Sequence, residues 1–179
     1  MLDGIHKIHL IGIGGSGMRA IANILIQKGY DVSGSDIAES AVISKFRDMG
    51  ATVHIGHNKE YVNGVDAIVR STAIREDNPE IVAAKEQGIT ILHRSDIVKA
   101  VLDVTDGIAV AGAHGKTSTT SMIGQILVEA DADPTVIIGG EVDYLKGSSC
   151  LGKGHFSVVE ADESDGSFLK LRPHTIVIT

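Results

Sequence analysis

The sequence lacks the features that mark several classes of protein. It contains one cysteine, Cys150, in 179 residues, so no internal disulfide can form. It shows no basic-then-apolar leader and no apolar stretch long enough to cross a membrane. These absences predict a cytoplasmic, reducing setting without a membrane partner. Proline is also scarce, and no proline-rich linker, low-complexity run or repeat period is visible.

Positive charge is in deficit as well. The chain carries 16 Lys and Arg against 23 Asp and Glu, for a formal net charge of -7, and no basic cluster interrupts this balance. We therefore expect no nucleic acid partner, and any anionic ligand must be held by local features. The histidines at 93, 155 and 174 lack zinc-ligand spacing, which predicts structural or surface roles. Cys150 has no evident activating partner, which indicates a bystander.

What the sequence does contain is a regular alternation of strand and helix patterns. Apolar residues make up 43% of the chain, enough to build a core. In the first half the patterns predict strands at 8–13, 30–35, 52–55, 65–69 and 89–92, and helices at 18–28, 41–49, 79–87 and 95–102. After a polar break at 103–107 they predict strands at 108–111, 135–138, 155–160 and 175–178, and a helix at 118–130.

This alternation predicts an α/β fold with parallel strands. We expect a Rossmann-like parallel-sheet domain over residues 1–103, followed over 104–179 by the first part of a P-loop-type α/β domain. The last strand then belongs to a larger nucleotide-binding domain. The alternative is that it forms the edge of a small, complete sheet.

A glycine loop at residues 12–17 follows the first predicted strand and opens the first helix. Its GxGxxG pattern predicts a tight turn at Gly12, close backbone approach to a pyrophosphate at Gly14, and helix-on-strand packing at Gly17. Asp36, at the end of the next strand, is placed to reach a ribose hydroxyl. Taken alone, the pattern favours a nicotinamide dinucleotide and redox chemistry, and a turn that binds no ligand is the alternative.

A second glycine loop lies between the predicted strand at 108–111 and its helix. Backbone N–H groups and the helix dipole converge there on one point, which suits an anion. Lys116 adds a mobile positive charge for the outer phosphates of a nucleotide, and the Thr117 hydroxyl is placed to bind the accompanying Mg²⁺. Val110 stands where the longer P-loop pattern has its first glycine, so this loop is shorter. It predicts a nucleoside triphosphate site, with an empty strand-to-helix turn as the alternative.

An acidic run follows the predicted strand at 155–160. Four carboxylates, at positions 160, 162, 163 and 165, are costly together unless a cation or solvent offsets them. Glu160 should lie at the same sheet edge as Thr117, where the two can share one Mg²⁺. The alternative is a solvated acidic loop.

Together these motifs resemble one family. GIGGSGM, SGSD, STAI before an Asn-Pro helix start, AGAHGKTSTT and VEADESDGSFL, in this order, are similar to the Mur ligases of peptidoglycan synthesis, and the resemblance covers essentially the whole chain. Ala113 departs from the Thr or Ser that the family usually carries in this loop. Relatives also have a complete central ATPase domain and a C-terminal domain, so the chain is expected to be a fragment that binds the UDP-sugar without turning over.

The resemblance implies a reaction and a set of ligands. The reaction is ATP-dependent joining of L-alanine to the carboxylate of UDP-N-acetylmuramate through an acyl phosphate, with Mg²⁺ as the cofactor and ATP as co-substrate. Catalytic roles are implied for Lys116 and Glu160, and Mg²⁺ ligation for Thr117 and Glu160. ATP binding is implied for Gly112, Ala113, His114, Gly115, Lys116, Thr117 and Ser118. UDP-sugar binding is implied for Gly12, Ile13, Gly14, Gly15, Ser16, Gly17, Met18, Asp36, His57, Ser71, Thr72 and Ala73.

Some alternatives stay open at this level. For His114 we favour a packing role over direct proton transfer. The two rival functions are an NAD-dependent oxidoreductase that uses the first glycine loop, and a nucleotide-binding module without catalysis.

Overall fold

The computed structural model describes residues 1–161 and 166–179, which form two compact units. The N-terminal unit is Leu2–Arg94, and the C-terminal unit is Ser95–Thr179. Both are α/β, as predicted. The division between the units comes before the predicted domain boundary at 103/104, because residues 95–102 of the helix that begins at Arg94 belong to the C-terminal unit. There the Leu102 side chain lies against Gly107, where a Cβ would collide with it.

The N-terminal unit is built on a parallel sheet of five strands in the order β3-β2-β1-β4-β5. Its strands are β1 (Lys7–Ile11), β2 (Asp31–Asp36), β3 (Thr52–Ile55), β4 (Ala67–Arg70) and β5 (Thr90–His93). Its helices are α1 (Ser16–Gln27), α2 (Ala41–Asp48) and α3 (Pro79–Glu86), with a 3-10 turn at Lys59–Val62. The strand order reverses between β1 and β4, so the carboxyl ends of these two strands flank a crevice suited to a ligand.

Local sequence signals set the helix ends in this unit. Ser40 and Asn78 cap α2 and α3 with side-chain oxygens that accept backbone N–H groups, and Pro79 takes the first position of α3. The predicted Asn-Pro helix start is therefore confirmed. Buried aliphatic side chains between the sheet and α3 form one core cluster, made up of Ile11, Val62, Ile68, Ile81, Ala83 and Ala84.

The C-terminal unit has a mixed sheet in the order β10-β6-β9-β7-β8. Its strands are β6 (Asp106–Ala111), β7 (Thr135–Val142), β8 (Gly147–Cys150), β9 (Phe156–Glu160) and β10 (Thr175–Ile178). The helix α4 (Arg94–Leu102) precedes them, α5 (Lys116–Glu129) follows β6, and 3-10 turns cover Asp143–Leu145 and Ser167–Lys170. β10 lies at one edge of this sheet and pairs in parallel with β6.

Two details of this unit differ from the sequence predictions. β7 continues through Gly139 and Gly140 and pairs with the antiparallel strand β8, which the sequence analysis missed because its residues GSSC lack an apolar pattern. The helix predicted at 118–130 begins two residues earlier, at Lys116, directly after the left-handed Gly115. Within the described residues, no helix combines the length and apolar character needed to span a membrane.

Candidate nucleotide-binding sites

The first glycine loop forms a tight turn at the end of β1. Gly12 has a φ of 73°, a conformation that favours glycine. The N–H groups of Gly12 and Ile13 donate to the Ser35 carbonyl at 2.8 and 3.1 Å, and the Gly15 N–H donates to the Gly12 carbonyl at 3.0 Å. The turn that the sequence predicts at Gly12 is therefore present, and it delivers the chain into α1 at Ser16.

Asp36 is part of this loop in the structure. Its Oδ2 accepts the Gly14 N–H at 2.8 Å, and its Oδ1 accepts the Ile37 N–H at 2.8 Å. The carboxylate therefore holds the loop backbone directly. It also brings negative charge to the place where the sequence predicts an anionic ligand.

The segment after β4 lies against the same loop. The Ile74 N–H donates to the Ser71 carbonyl at 3.2 Å, which closes a turn around Thr72 and Ala73. The Ile74 side chain lies 3.4 Å from where a Cβ on Gly12 would stand. The structure thus brings the predicted residues 71–73 beside the first glycine loop, at the carboxyl ends of β1 and β4.

Gly17 was predicted to allow packing of the helix on a strand, and the structure gives it a further neighbour. The three atoms nearest to the missing Cβ all belong to Arg94. The Arg94 Nη1 lies 2.8 Å from the Cβ position, and the Cζ lies 3.4 Å from it. Glycine at position 17 therefore makes room for a guanidinium group, which the sequence gave no reason to place there.

Two other residues predicted for this site have buried side chains. Ile13 and Met18 are both in the core, and the Met18 N–H donates to the Gly15 carbonyl at 2.9 Å. Their side chains therefore contribute packing beneath the loop.

A buried carboxylate lies under the predicted residue His57. Glu80 Oε2 accepts hydrogen bonds from His9 at 3.0 Å and from the Ser35 hydroxyl at 2.7 Å. Glu80 Oε1 accepts from His57 Nδ1 at 3.0 Å and from the Asn58 N–H at 3.3 Å. The side chains of His9 and Glu80 are fully buried. The Glu80 carboxylate therefore accepts four hydrogen bonds, two on each oxygen. The bond to Oε1 turns His57 Nδ1 toward the buried Glu80.

This network determines the ionisation of Glu80. Burial alone would raise the pKa of the carboxyl group, but the hydrogen bonds from His9, Ser35 and His57 outweigh burial and hold the pKa below its ordinary value. The sequence analysis missed Glu80, because a glutamate in the first turn of a helix is an ordinary surface residue in most proteins.

The second glycine loop joins β6 to α5. Gly112 and Gly115 have φ values of 138° and 80°. Lys116 and Thr117 are the first two residues of α5, and the Lys116 ammonium group donates to the Gly112 carbonyl at 2.6 Å. Ala113, His114, Gly115, Thr117 and Ser118 are exposed. The loop therefore exposes the start of a helix, and Lys116 is half-buried beside it.

Thr117 and Glu160 meet at the carboxyl edge of the second sheet. The Thr117 hydroxyl lies 3.1 Å from each of the two Glu160 carboxylate oxygens. The Gly139 N–H donates to Glu160 Oε2 at 2.8 Å, so β7, β9 and α5 converge here. The pair is predicted from the sequence, whereas Gly139 is not, although the Gly-Gly step at 139–140 was an available signal.

The His114 carbonyl accepts a hydrogen bond from the Thr179 hydroxyl at 2.5 Å, and the role of its imidazole stays a prediction. Positions 162, 163 and 165 of the acidic run lie outside the described residues. Within the described part of the chain, no group of three His, Cys, Asp or Glu residues could hold a metal ion. Burial raises the pKa of the Cys150 thiol, in keeping with a bystander role.

Comparison with known proteins identifies the family of this chain. The family model described as "Mur ligase family, catalytic domain" matches residues 7–104, which is more than half of the chain. The chain belongs to the Mur ligase family. The match includes the first glycine loop, Asp36, His57, Glu80 and Arg94.

Individual Mur ligases agree with the family assignment. The chain is 48% identical over its whole length to a UDP-N-acetylmuramate--L-alanine ligase of Solidesulfovibrio magneticus and covers 39% of that protein. The crystal structure of UDP-N-acetylmuramate-alanine ligase from Thermotoga maritima matches 96% of the chain with a TM-score of 0.89 and 35% identity, and 40% of that protein is covered.

A second solved relative carries a different name. The UDP-N-acetylmuramate:L-alanyl-gamma-D-glutamyl-meso-diaminopimelate ligase from Neisseria meningitides matches 98% of the chain with a TM-score of 0.88 and 28% identity, and 60% of that protein is covered. The chain thus spans about two fifths of the curated relatives it matches.

Proposed function

We propose that this chain carries the UDP-sugar site and the beginning of the ATP site of a ligase that joins L-alanine to UDP-N-acetylmuramate. The observation that carries the proposal is the Thr117–Glu160 pair beside Lys116. It supplies a hydroxyl, a carboxylate and an ammonium group at one strand-to-helix loop. The names of the relatives supply the substrates.

In this proposal the first glycine loop receives the diphosphate of the UDP-sugar. Asp36, His57 and the turn at residues 71–73 surround the loop and are the candidates for contacts with the uridine and phosphates. Domain boundaries near residues 103–104, with the first domain for the UDP-sugar and the start of an ATPase domain after it, remain part of the proposal. The protein works in the cytoplasm, where these nucleotides are available.

The residues at the second loop fit a magnesium ion. Mg²⁺ prefers hard oxygen ligands, and it commonly takes one or two protein oxygens while waters and phosphate oxygens complete the coordination. Thr117 and Glu160 would hold it, within 3.1 Å of each other at the end of the loop. When bound, Mg²⁺ supplies charge neutralisation for the phosphates.

The chemistry proceeds in two steps. A muramoyl carboxylate oxygen attacks the γ-phosphorus of ATP, a new O–P bond forms, the bond to the β-phosphate oxygen breaks, and ADP leaves. The alanine amine then attacks the acyl carbon, phosphate leaves with the C–O bonding pair, and the amine loses a proton. Lys116 and the N–H groups of the loop stabilise the charge that spreads over the transferred phosphoryl group. No covalent nucleophile of the enzyme is needed.

Thermal unfolding with candidate ligands tests the proposal directly. We expect UDP-N-acetylmuramate to raise the midpoint of unfolding of this chain, because a ligand that binds only the folded state stabilises it. NAD serves as the control ligand. A rise with NAD and none with the UDP-sugar would instead favour the oxidoreductase alternative.

A further inference from the structure

The first glycine loop has no basic residue of its own to offset the charge of a diphosphate. The segment from Gly12 to Met18 contains no lysine or arginine, and the next residue, Arg19, has a buried Nε. The carboxylate of Asp36 is bonded to the Gly14 N–H, so negative charge already lies at the loop. A diphosphate that binds beside it needs a compensating cation.

Arg94 lies beside the first glycine loop. It follows β5 directly, belongs to the N-terminal unit, and places its guanidinium against Gly17 in the first turn of α1. A side chain at position 17 would occupy the same space, with a Cβ only 2.8 Å from Nη1 and 3.5 Å from Cδ. Gly17 does not have the positive φ that would itself demand glycine. The absence of a Cβ is therefore explained by the arginine.

We infer that Arg94 binds the diphosphate of the UDP-sugar at the first glycine loop. A guanidinium beside the first turn of α1 adds a full positive charge to the partial charge of the helix N-terminus. It offsets Asp36 and donates hydrogen bonds to phosphate oxygens. Gly17, which has no Cβ, leaves the space that the Arg94 guanidinium occupies. This inference rests on the proposed function, because it takes the diphosphate to lie at this loop.

Calorimetric titration of wild-type and Arg94→Gln protein with UDP tests the inference, and an NMR titration with uridine gives the matching measurement without phosphate. We expect Arg94→Gln to weaken UDP binding about 10-fold to 100-fold, the range for loss of a charge-assisted hydrogen bond. The affinity for uridine should stay unchanged. Lys28→Gln is the matched control, since it removes one positive charge at the opposite end of α1, where Lys28 is exposed.

Gly17→Ala supplies a second test that keeps the arginine. The new methyl group displaces the flexible end of Arg94, so we expect weaker UDP binding in a protein that still folds. In the Arg94→Gln background the same substitution should have much less effect, because the group it displaces is gone. Additive effects of the two substitutions would contradict the role of Gly17.

Two results would overturn the assignment of Arg94. One is unchanged UDP affinity in Arg94→Gln, and the other is an equal loss of UDP and uridine binding, which would mark a structural role. If wild-type protein binds neither UDP nor UDP-N-acetylmuramate, the proposed function is wrong. The assignment of Arg94 is then wrong as well, because it depends on that function.

Discussion

At the scale of single residues, the two glycine loops handle charge differently. In the second loop Lys116 follows Gly115 directly, so the sequence predicts the cation. In the first loop the carboxylate of Asp36 is bonded to the backbone, and the nearest cation identified at that loop, Arg94, is distant in sequence. Both loops nonetheless lead directly into a helix.

Lys116→Ala tests the second loop. The Lys116 ammonium group donates to the Gly112 carbonyl in the structure, and we expect it to turn to a phosphate when a nucleotide binds. Its loss should weaken binding of Mg²⁺–tripolyphosphate about 10-fold or more. Calorimetry measures this effect, and binding of UDP-N-acetylmuramate is the internal control. Equal affinity for tripolyphosphate before and after the substitution would remove Lys116 from the phosphate site.

At the scale of elements, the ends of strands bring together residues that are distant in sequence. Glu160 ends β9, Thr117 is the second residue of α5, and Gly139 lies in β7, yet Glu160 contacts both of the others. In the first unit, Glu80 of α3 binds His9 in the middle of β1 and Ser35 near the end of β2. In both units, neighbouring strands and the start of a helix bring these residues together.

Gly139→Ala tests the support of Glu160 by β7. A Cβ at this position would lie 3.1 Å from Glu160 Oε2, closer than ordinary contact, so the carboxylate must shift. We expect weaker magnesium-dependent binding of tripolyphosphate, by about 3-fold to 10-fold if part of one charge-assisted hydrogen bond is lost. Gly140→Ala is the matched control, because its Cβ would meet the Thr117 methyl group at an ordinary 3.4 Å. An equal loss in both variants would argue against a specific role of Gly139.

Glu80→Gln tests the buried network. The variant offers an amide in place of a carboxylate that accepts several donors, so we expect the free energy of unfolding at pH 7 to fall by about 3 kcal/mol. Urea unfolding followed by circular dichroism measures this change. Glu86→Gln, at the exposed end of the same helix, should have little effect.

The pH dependence of the same variant has a definite sign. The pKa of Glu80 is lower in the folded protein than its ordinary value, so its contribution to stability is complete above the ordinary carboxyl range of about 4.3. That contribution is lost as the pH falls through the lower, folded pKa. The stability gap between wild type and Glu80→Gln should therefore be widest near neutral pH and narrow in acid. A gap that widens in acid would contradict the assignment.

At the scale of the whole molecule, the chain consists of two compact units with one glycine loop each. If the proposed division of ligands is right, each ligand acts on its own unit. Hydrogen exchange with UDP-N-acetylmuramate should slow at Gly12–Gly17 and not at Gly112–Ser118. At a ligand concentration 100 times the dissociation constant, binding adds about 2.7 kcal/mol to the free energy of the opening that permits exchange. Equal protection of both loops by the UDP-sugar would contradict the division.

The sequence was most informative where a signal is local. Apolar patterns, the Asn-Pro start of α3 and the glycines gave the α/β class, the order of the elements and both loops, within a few residues at most ends. It missed β8, because a short polar strand is held by its pairing with β7. It missed the early start of α5 as well, since the lysine and threonine of the loop already belong to the helix.

The sequence by itself determined the two glycine loops, because each is built from neighbouring residues whose backbone conformation follows from glycine and from the turn into a helix. Only the tertiary structure decided what surrounds them. Arg94 beside Gly17, Glu80 beneath His57 and Gly139 behind Glu160 all come from other elements. Side chains far apart in sequence meet through strand order and packing, and no local pattern encodes those distances.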